Sequence, residues 1–186
     1  LSVPQYDTRP LAFWGTESYA NMATGIAITS GTTTINNLQY YFDENGERLY
    51  GMIEYTTSSG KKSTKYFRET ENVSKVSEIA KLQEEITKNA SIDGWHEIGG
   101  LKYYVSDGKY ASGIIEIDGV KYGFSTKSNV LLTGLRTING DQYYFNDLGE
   151  MQTGFITIDN QTRYFANDTG KMMTGFQMIG NKKYYF

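Results

Sequence analysis

Cysteine is missing altogether, and histidine occurs once, at His96. Without thiols there are no disulfides and no thiolate sites, which fits the cytosol and a Gram-positive exterior equally. With one imidazole, a Ser-His-Asp or Cys-His arrangement has a single candidate, and nothing around His96 marks a poised base. A metal centre built on imidazole and thiolate has too few ligands. Carboxylate pairs such as Asp43-Glu44 and Asp93/Glu97 sit in turns and strand starts without a defined cleft. No catalytic or metal-ligating residue, no cofactor and no enzyme activity is therefore expected. Proline is scarce, at Pro4 and Pro10 only. No apolar run is long enough to span a bilayer, and no signal peptide is evident. The formal charge of −3 offers no basic footprint for nucleic acid. Neither nucleic acid nor membrane insertion is expected. The chain opens on Leu1 and stops just after a strand, and reads as a piece of something longer.

Tyrosine and glycine are what the chain has in excess, 16 and 20 of 186 residues. Tyrosine suits pleated, half-buried surfaces and glycine suits tight turns. The two recur in one sentence, clearest in Gly134–Thr153, GLRTINGDQYYFNDLGEMQT. Asn139-Gly140 between two strand-like runs is a strong hairpin signal, because a type I′ turn needs φ > 0 at both central positions. Copies open at Gly31, Gly94, Gly113, Gly154 and Gly175. Each has Ile four places after the opening Gly and an Asn/Asp/Gly pair directly after it: Ile35, Ile98, Ile117, Ile158 and Ile179. A period of roughly 20 residues marks a repeat array.

Along the chain, 1–12 reads as a linker or lead-in, 13–30 as a degenerate repeat or cap, and 31–50 as a short repeat. The unit 51–93 is longer, with strands at Met52-Ile53 and Thr64–Phe67. From Gly94 to Phe186 five copies run on, the last truncated. Within the long unit, 71–88 carries Val73, Val76, Ile79 or Ala80, Gln83 and Ile86 at helical spacing. Asn72 or Ser74 is placed to cap it. The expected fold is all-β, a solenoid of stacked hairpins of about 20 residues, with one inserted amphipathic helix over 71–88.

Counting the opening Gly as zero, offset eleven is Phe42, Phe67, Val105, Phe124, Phe145, Phe165 and Phe186. Strand side chains alternate between faces, so this near-constant Phe marks the core side. Offset nine, mostly Tyr, shares that side and is expected at its rim. Offsets eight and ten face the other way and pair Tyr with Lys, Gln or Thr, as in Lys102/Tyr104 and Gln142/Tyr144. Such a row offers stacking faces beside hydrogen-bonding groups, which suits sugar rings. Packing of these tyrosines against the next hairpin is the alternative.

The Gly-x-x-x-Ile-Asn-Gly-x-x-Tyr-Tyr-Phe pattern, with its turn Gly, Met and Thr-Gly, resembles the cell-wall or choline-binding type of repeat. It is most similar to the short and long repeats (combined repetitive oligopeptides) of large clostridial toxins, over about 13–186 without the helical insertion. The resemblance implies a solenoid whose hairpins each turn by about a third of a revolution, in a secreted or surface protein of a Gram-positive bacterium. Choline-binding repeats cage a quaternary ammonium between paired Trp rings and a neighbouring Tyr. Here no copy keeps both Trp positions aromatic, and Lys102 stands beside Trp95, the one ring left. Choline is accordingly expected to be disfavoured. In the toxin branch the sugar site forms where a long repeat meets the next short one. By position that implies Tyr66 and Arg68 on one side and Trp95, Lys102 and Tyr104 on the other, with Gln142 and Tyr144 as a further Tyr-Gln pair. The expected function is a non-catalytic carbohydrate-binding module of a secreted toxin or surface protein, its partner a glycan or cell-wall polysaccharide. A wall- or glucan-anchoring module of a wall-active enzyme, and a spacer or protein-interaction stalk, stay open beside it.

Overall fold

The computed structural model describes residues 20–21, 26–27, 31–35, 38–57, 59–68 and 76–186. The lead-in over 1–12, most of the degenerate cap and the proposed helix caps at Asn72 and Ser74 lie outside the described residues. Within them the chain is all-β apart from one helix, and its strands form separate two- and three-stranded antiparallel sheets. No sheet among them closes into a barrel.

After a short pair, Ala20–Asn21 with Ile26–Ala27, come seven hairpins. The first joins Gly31–Ile35 to Leu38–Phe42, and the second Gly51–Thr56 to Lys62–Phe67. The third joins Gly94–Ile98 to Leu101–Ser106, and the fourth Gly113–Ile117 to Val120–Phe124. Gly134–Ile138 with Asp141–Phe145, Gly154–Ile158 with Gln161–Phe165, and Phe176–Ile179 with Lys182–Tyr185 complete the series. The turn chemistry acts as read. Asn139 and Gly140 have φ of 53° and 86°, the left-handed pair that a type I′ turn requires. Short third strands such as Met151–Gln152 return along the second strand of their hairpin.

Register follows from those two-residue turns. Gly134 lies opposite Phe145 and Ile138 opposite Asp141, and the sixth hairpin repeats the pattern. The constant Phe therefore lands at one place each time. Phe42, Phe124, Phe145 and Phe165 are fully buried, as is Val105. Ile98, Ile117, Ile138 and Ile158 are buried with them. Each such side chain contributes on the order of 1.5–3 kcal/mol, in clusters that join neighbouring units. Leu135, for example, packs with Ile158 and Phe165 of the following hairpin.

Offset ten departs from the expected open face. Tyr41 lies 6.0 Å from Phe67, Tyr144 6.2 Å from Phe165 and Tyr164 5.9 Å from Phe186, centroid to centroid. These tyrosines lie between consecutive hairpins, offset ten of one against offset eleven of the next. At Gly123 the offset-ten side chain is absent, and the Phe145 ring fills the space where a Cβ would stand.

The helix, α1, runs Val76–Asn89; of the expected 71–88, residues 71–75 lie outside the described residues. Its buried face is Ile79, Leu82 and Ile86. Gln83, expected on that face, is exposed, because the apolar Leu82, three residues after Ile79 and four before Ile86, takes the place against Tyr66 and Leu101. The face docks on Met52, Tyr66 and Leu101, and Tyr110 donates its hydroxyl to the Ile86 carbonyl at 2.7 Å.

Candidate functional site

The third hairpin pairs Trp95 with Tyr104 and Glu97 with Lys102. Side chains two apart share a strand face, so all four project from one side. Trp95 is 44% exposed. Its ring meets Tyr104 edge-on at 5.1 Å, Tyr122 edge-on at 5.1 Å and Phe124 at 5.9 Å. Tyr122 and Phe124 come from offsets nine and eleven of the fourth hairpin. The result is an aromatic corner across a hairpin junction, with phenol edges against the indole.

This corner forms one wall of a groove of about 420 Å3. Trp95, Glu97, Lys102, Tyr122, Leu131 and Glu150 line it. Leu131 arrives because its amide donates to the Lys102 carbonyl at 2.9 Å. Glu150 arrives through a β-bridge with Tyr122, and Asn146 donates to its carboxylate at 2.8 Å. His96 also lines the groove, with Nε2 held 2.6 Å from the Ile92 carbonyl. The lining thus holds two carboxylates, Glu97 and Glu150, and one ammonium, Lys102.

The other expected residues lie elsewhere. Tyr66 is fully buried and donates to the Ile98 carbonyl at 2.5 Å. Its oxygen is 3.3 Å from that of Tyr103. Burial raises the pKa of both phenols. Arg68 lies over the Tyr66 ring, 5.8 Å from its centroid. The structure thus separates Tyr66 and Arg68 from the Trp95 groove, while keeping Trp95, Lys102 and Tyr104 together. Tyr144 is packed on Phe165, and Gln142 stands opposite Thr137 in the fifth hairpin. Glu97, Tyr122 and Glu150 are among the groove residues that sequence reading missed. The available signal for Tyr122 was the repeat count itself: offset nine of one unit faces offset one of the unit before. Glu150 carries no such signal, since its position depends on how the loop after the fifth hairpin folds back.

A second cavity, of about 180 Å3, lies between the loop after the first hairpin and the region around the fourth and fifth. Glu47 is buried there and accepts the Thr137 amide at 2.7 Å. Desolvation raises its pKa. Among the described residues no group of three or more His, Cys, Asp or Glu is placed to hold a metal ion, and no helix is long and apolar enough to cross a membrane.

Comparison with known proteins finds two repeat families over parts of the chain. Residues 132–175 match a family described as choline-binding repeat. Residues 34–47 and 174–186 match one described as putative cell wall binding repeat. No curated protein matches the chain. Among solved structures, choline binding protein F from Streptococcus pneumoniae is 21% identical, over 87% of this chain and 50% of that one, at a TM-score of 0.48. CbpJ from Streptococcus pneumoniae TIGR4 is 23% identical, over 91% of this chain and 53% of that one, at 0.48. A truncated alternansucrase from Leuconostoc mesenteroides is 21% identical, over 90% of this chain and 12% of that one, at 0.38. The chain spans about half the length of the two pneumococcal proteins.

The match to choline-binding repeats overturns the expectation that choline is disfavoured. That expectation required two Trp per repeat and let Lys102 repel a cation. In the structure Tyr104, Tyr122 and Phe124 surround Trp95 in place of a second Trp. Lys102 stands opposite Glu97, and Glu150 adds a second carboxylate.

Proposed function

We propose that this array of choline-binding and cell-wall-binding repeats is a non-catalytic module that holds a wall polymer at the surface of a Gram-positive bacterium. The Trp95 groove takes the quaternary ammonium of a choline-bearing ligand. The observation that carries the reading is the exposed Trp95 face, set among Tyr104 and Tyr122 with Glu97 and Glu150 beside it. A trimethylammonium group has no proton to donate, so it is recognised by ring faces and by net negative charge. Contact with such rings is worth about 0.5–2 kcal/mol each as desolvation increases.

The hairpins stack as a β-solenoid in this reading. Its support is contact between units three apart in sequence order. Lys127, after the fourth hairpin, pairs with Glu44, after the first, at 2.5 Å. Glu47, from the same loop as Glu44, reaches Thr137 of the fifth, one unit further on. A turn of about a third of a revolution per unit brings the first and fourth together.

A sugar ring is the second reading. The groove is larger than an ammonium headgroup needs, and Lys102 and Glu97 at its mouth offer a donor and an acceptor for hydroxyls. Calorimetric titration with choline chloride and, separately, with a wall oligosaccharide separates the two. Saturable choline binding that disappears in Trp95→Ala supports the first. Oligosaccharide binding with the same sensitivity and no response to choline supports the second. No binding of either ligand overturns both.

A further inference from the structure

Helix α1 fills a hairpin junction of the same make as the Trp95 groove. Each junction is built from four positions: offsets one and ten of one hairpin, and nine and eleven of the next. Between the third and fourth hairpins these are Trp95, Tyr104, Tyr122 and Phe124. Between the sixth and seventh they are Phe155, Tyr164, Tyr184 and Phe186, and Phe155 is 48% exposed. In both, the offset-one ring faces solvent.

The junction between the second and third hairpins has Met52, Tyr66, Tyr103 and Val105 at the same positions. There Tyr66 is 0% and Tyr103 1% exposed. Gly99 backs the Tyr66 ring closely, since a Cβ there would stand 2.8 Å from it. Val130, Tyr50 and Tyr110 cover the Tyr103 side, and α1 covers the Tyr66 side. Ile79 packs on Tyr66, and Leu82 and Ile86 reach across to Leu101 and the cluster around Tyr103. Tyr110 fastens the far end through the Ile86 carbonyl. Glu78, Lys81, Gln83, Glu84, Glu85 and Lys88 are exposed. Among the described residues, the apolar contacts of Ile79, Leu82 and Ile86 go to this junction and to Leu101 beside it. A helix of 14 residues is marginal when isolated, so its seat depends on that contact, and local opening needs only these few contacts to break.

We infer that α1 is a built-in occupant of a ligand junction, and that displacing it uncovers a second site for the same class of ligand as the Trp95 groove. The inference rests on the functional reading above, and it determines how many ligands the chain takes. Arg68 bears on it, because its guanidinium already lies over one face of Tyr66. Its replacement by Gln removes a competing cation from the uncovered site.

The test titrates choline chloride into four folded chains and reads stoichiometry. These are the chain as it stands, Trp95→Ala, a chain with Val76–Asn89 replaced by a Gly/Ser segment of equal length, and that chain with Arg68→Gln added. If the segment exchange prevents folding, Ile79→Glu with Ile86→Glu lifts the helix instead. The expected result is about one additional choline per chain, in line with one additional junction of the kind that binds ammonium by cation–π contact. The extra site survives when Trp95→Ala is added to the helix-free chain, and is lost again when a peptide spanning 73–92 is added in trans. Unchanged stoichiometry in both helix-free chains overturns the inference while leaving the Trp95 reading intact. An extra site in those chains, with none in the chain as it stands, overturns the Trp95 reading and keeps the inference. Peptide binding without any gain in choline also overturns it, because the junction is then a helix seat only.

Discussion

At the scale of the residue, Trp95 and the constant Phe do different work. Trp95 is half-open and meets Tyr104 and Tyr122 edge-on, which leaves a ring face open to a ligand. Trp95→Ala is expected to weaken choline binding at least tenfold, equivalent to about 1.4 kcal/mol, with the melting temperature nearly unchanged. Glu150→Gln is expected to weaken it several-fold at low salt and by less at high salt, since salt screens an exposed carboxylate. Both are checked by calorimetry. Phe145 is fully buried, so Phe145→Ala is expected to cost about 3–5 kcal/mol. Phe176, 68% exposed, should tolerate Ala within about 0.5 kcal/mol. Urea unfolding of the two variants measures the difference. These roles were unequally legible in the sequence. Phe145 was readable because its position repeats. The sense of Lys102 was not, because its effect depends on Glu97 across the strand pair and on Glu150 from a distant loop.

At the scale of the element, the junction under α1 sets a dependence on pH. Tyr66 and Tyr103 are buried phenols with pKa raised by desolvation. In the unfolded chain they ionise near the ordinary value of about 10. The folded state therefore holds more protons above that pH, and stability falls as pH rises. Their contribution is fully present below about pH 10 and is lost as pH climbs towards the raised folded values. Thermal melts from pH 8 to 11 should show a steep alkaline decline, and Tyr66→Phe with Tyr103→Phe should flatten it. An unaltered slope would mean that other groups carry the alkaline transition. Six of the seven hairpins were legible element by element, because a two-residue turn of Asn, Asp or Gly fixes both turn and register over few residues. The helix was legible in kind but not in phase. One marginal apolar stripe fits Gln83 or Leu82 equally well until a partner surface selects Leu82. The destination of offset ten was hidden for the same reason, since it depends on the neighbouring hairpin.

At the scale of the whole molecule, stability should behave as a sum of contacts between neighbouring units. The seventh hairpin touches the sixth through Phe155 and Tyr164 against Tyr184 and Phe186. Ending the chain at Thr174 should leave the remaining hairpins folded, with a urea m-value reduced in proportion to the surface lost. Collapse of the entire β signal in circular dichroism would show instead one indivisible cooperative unit. The central claim is that the chain binds a choline-bearing wall ligand at Trp95, and it is tested most directly by fluorescence. The chain has two tryptophans, Trp14 and Trp95, so a Trp14→Phe chain reports on Trp95 alone. Titration with choline chloride should change its emission saturably, and Tyr122→Ala should remove the response. A flat titration, with equal retention of the Trp95→Ala chain and its parent on a choline resin, would contradict the account.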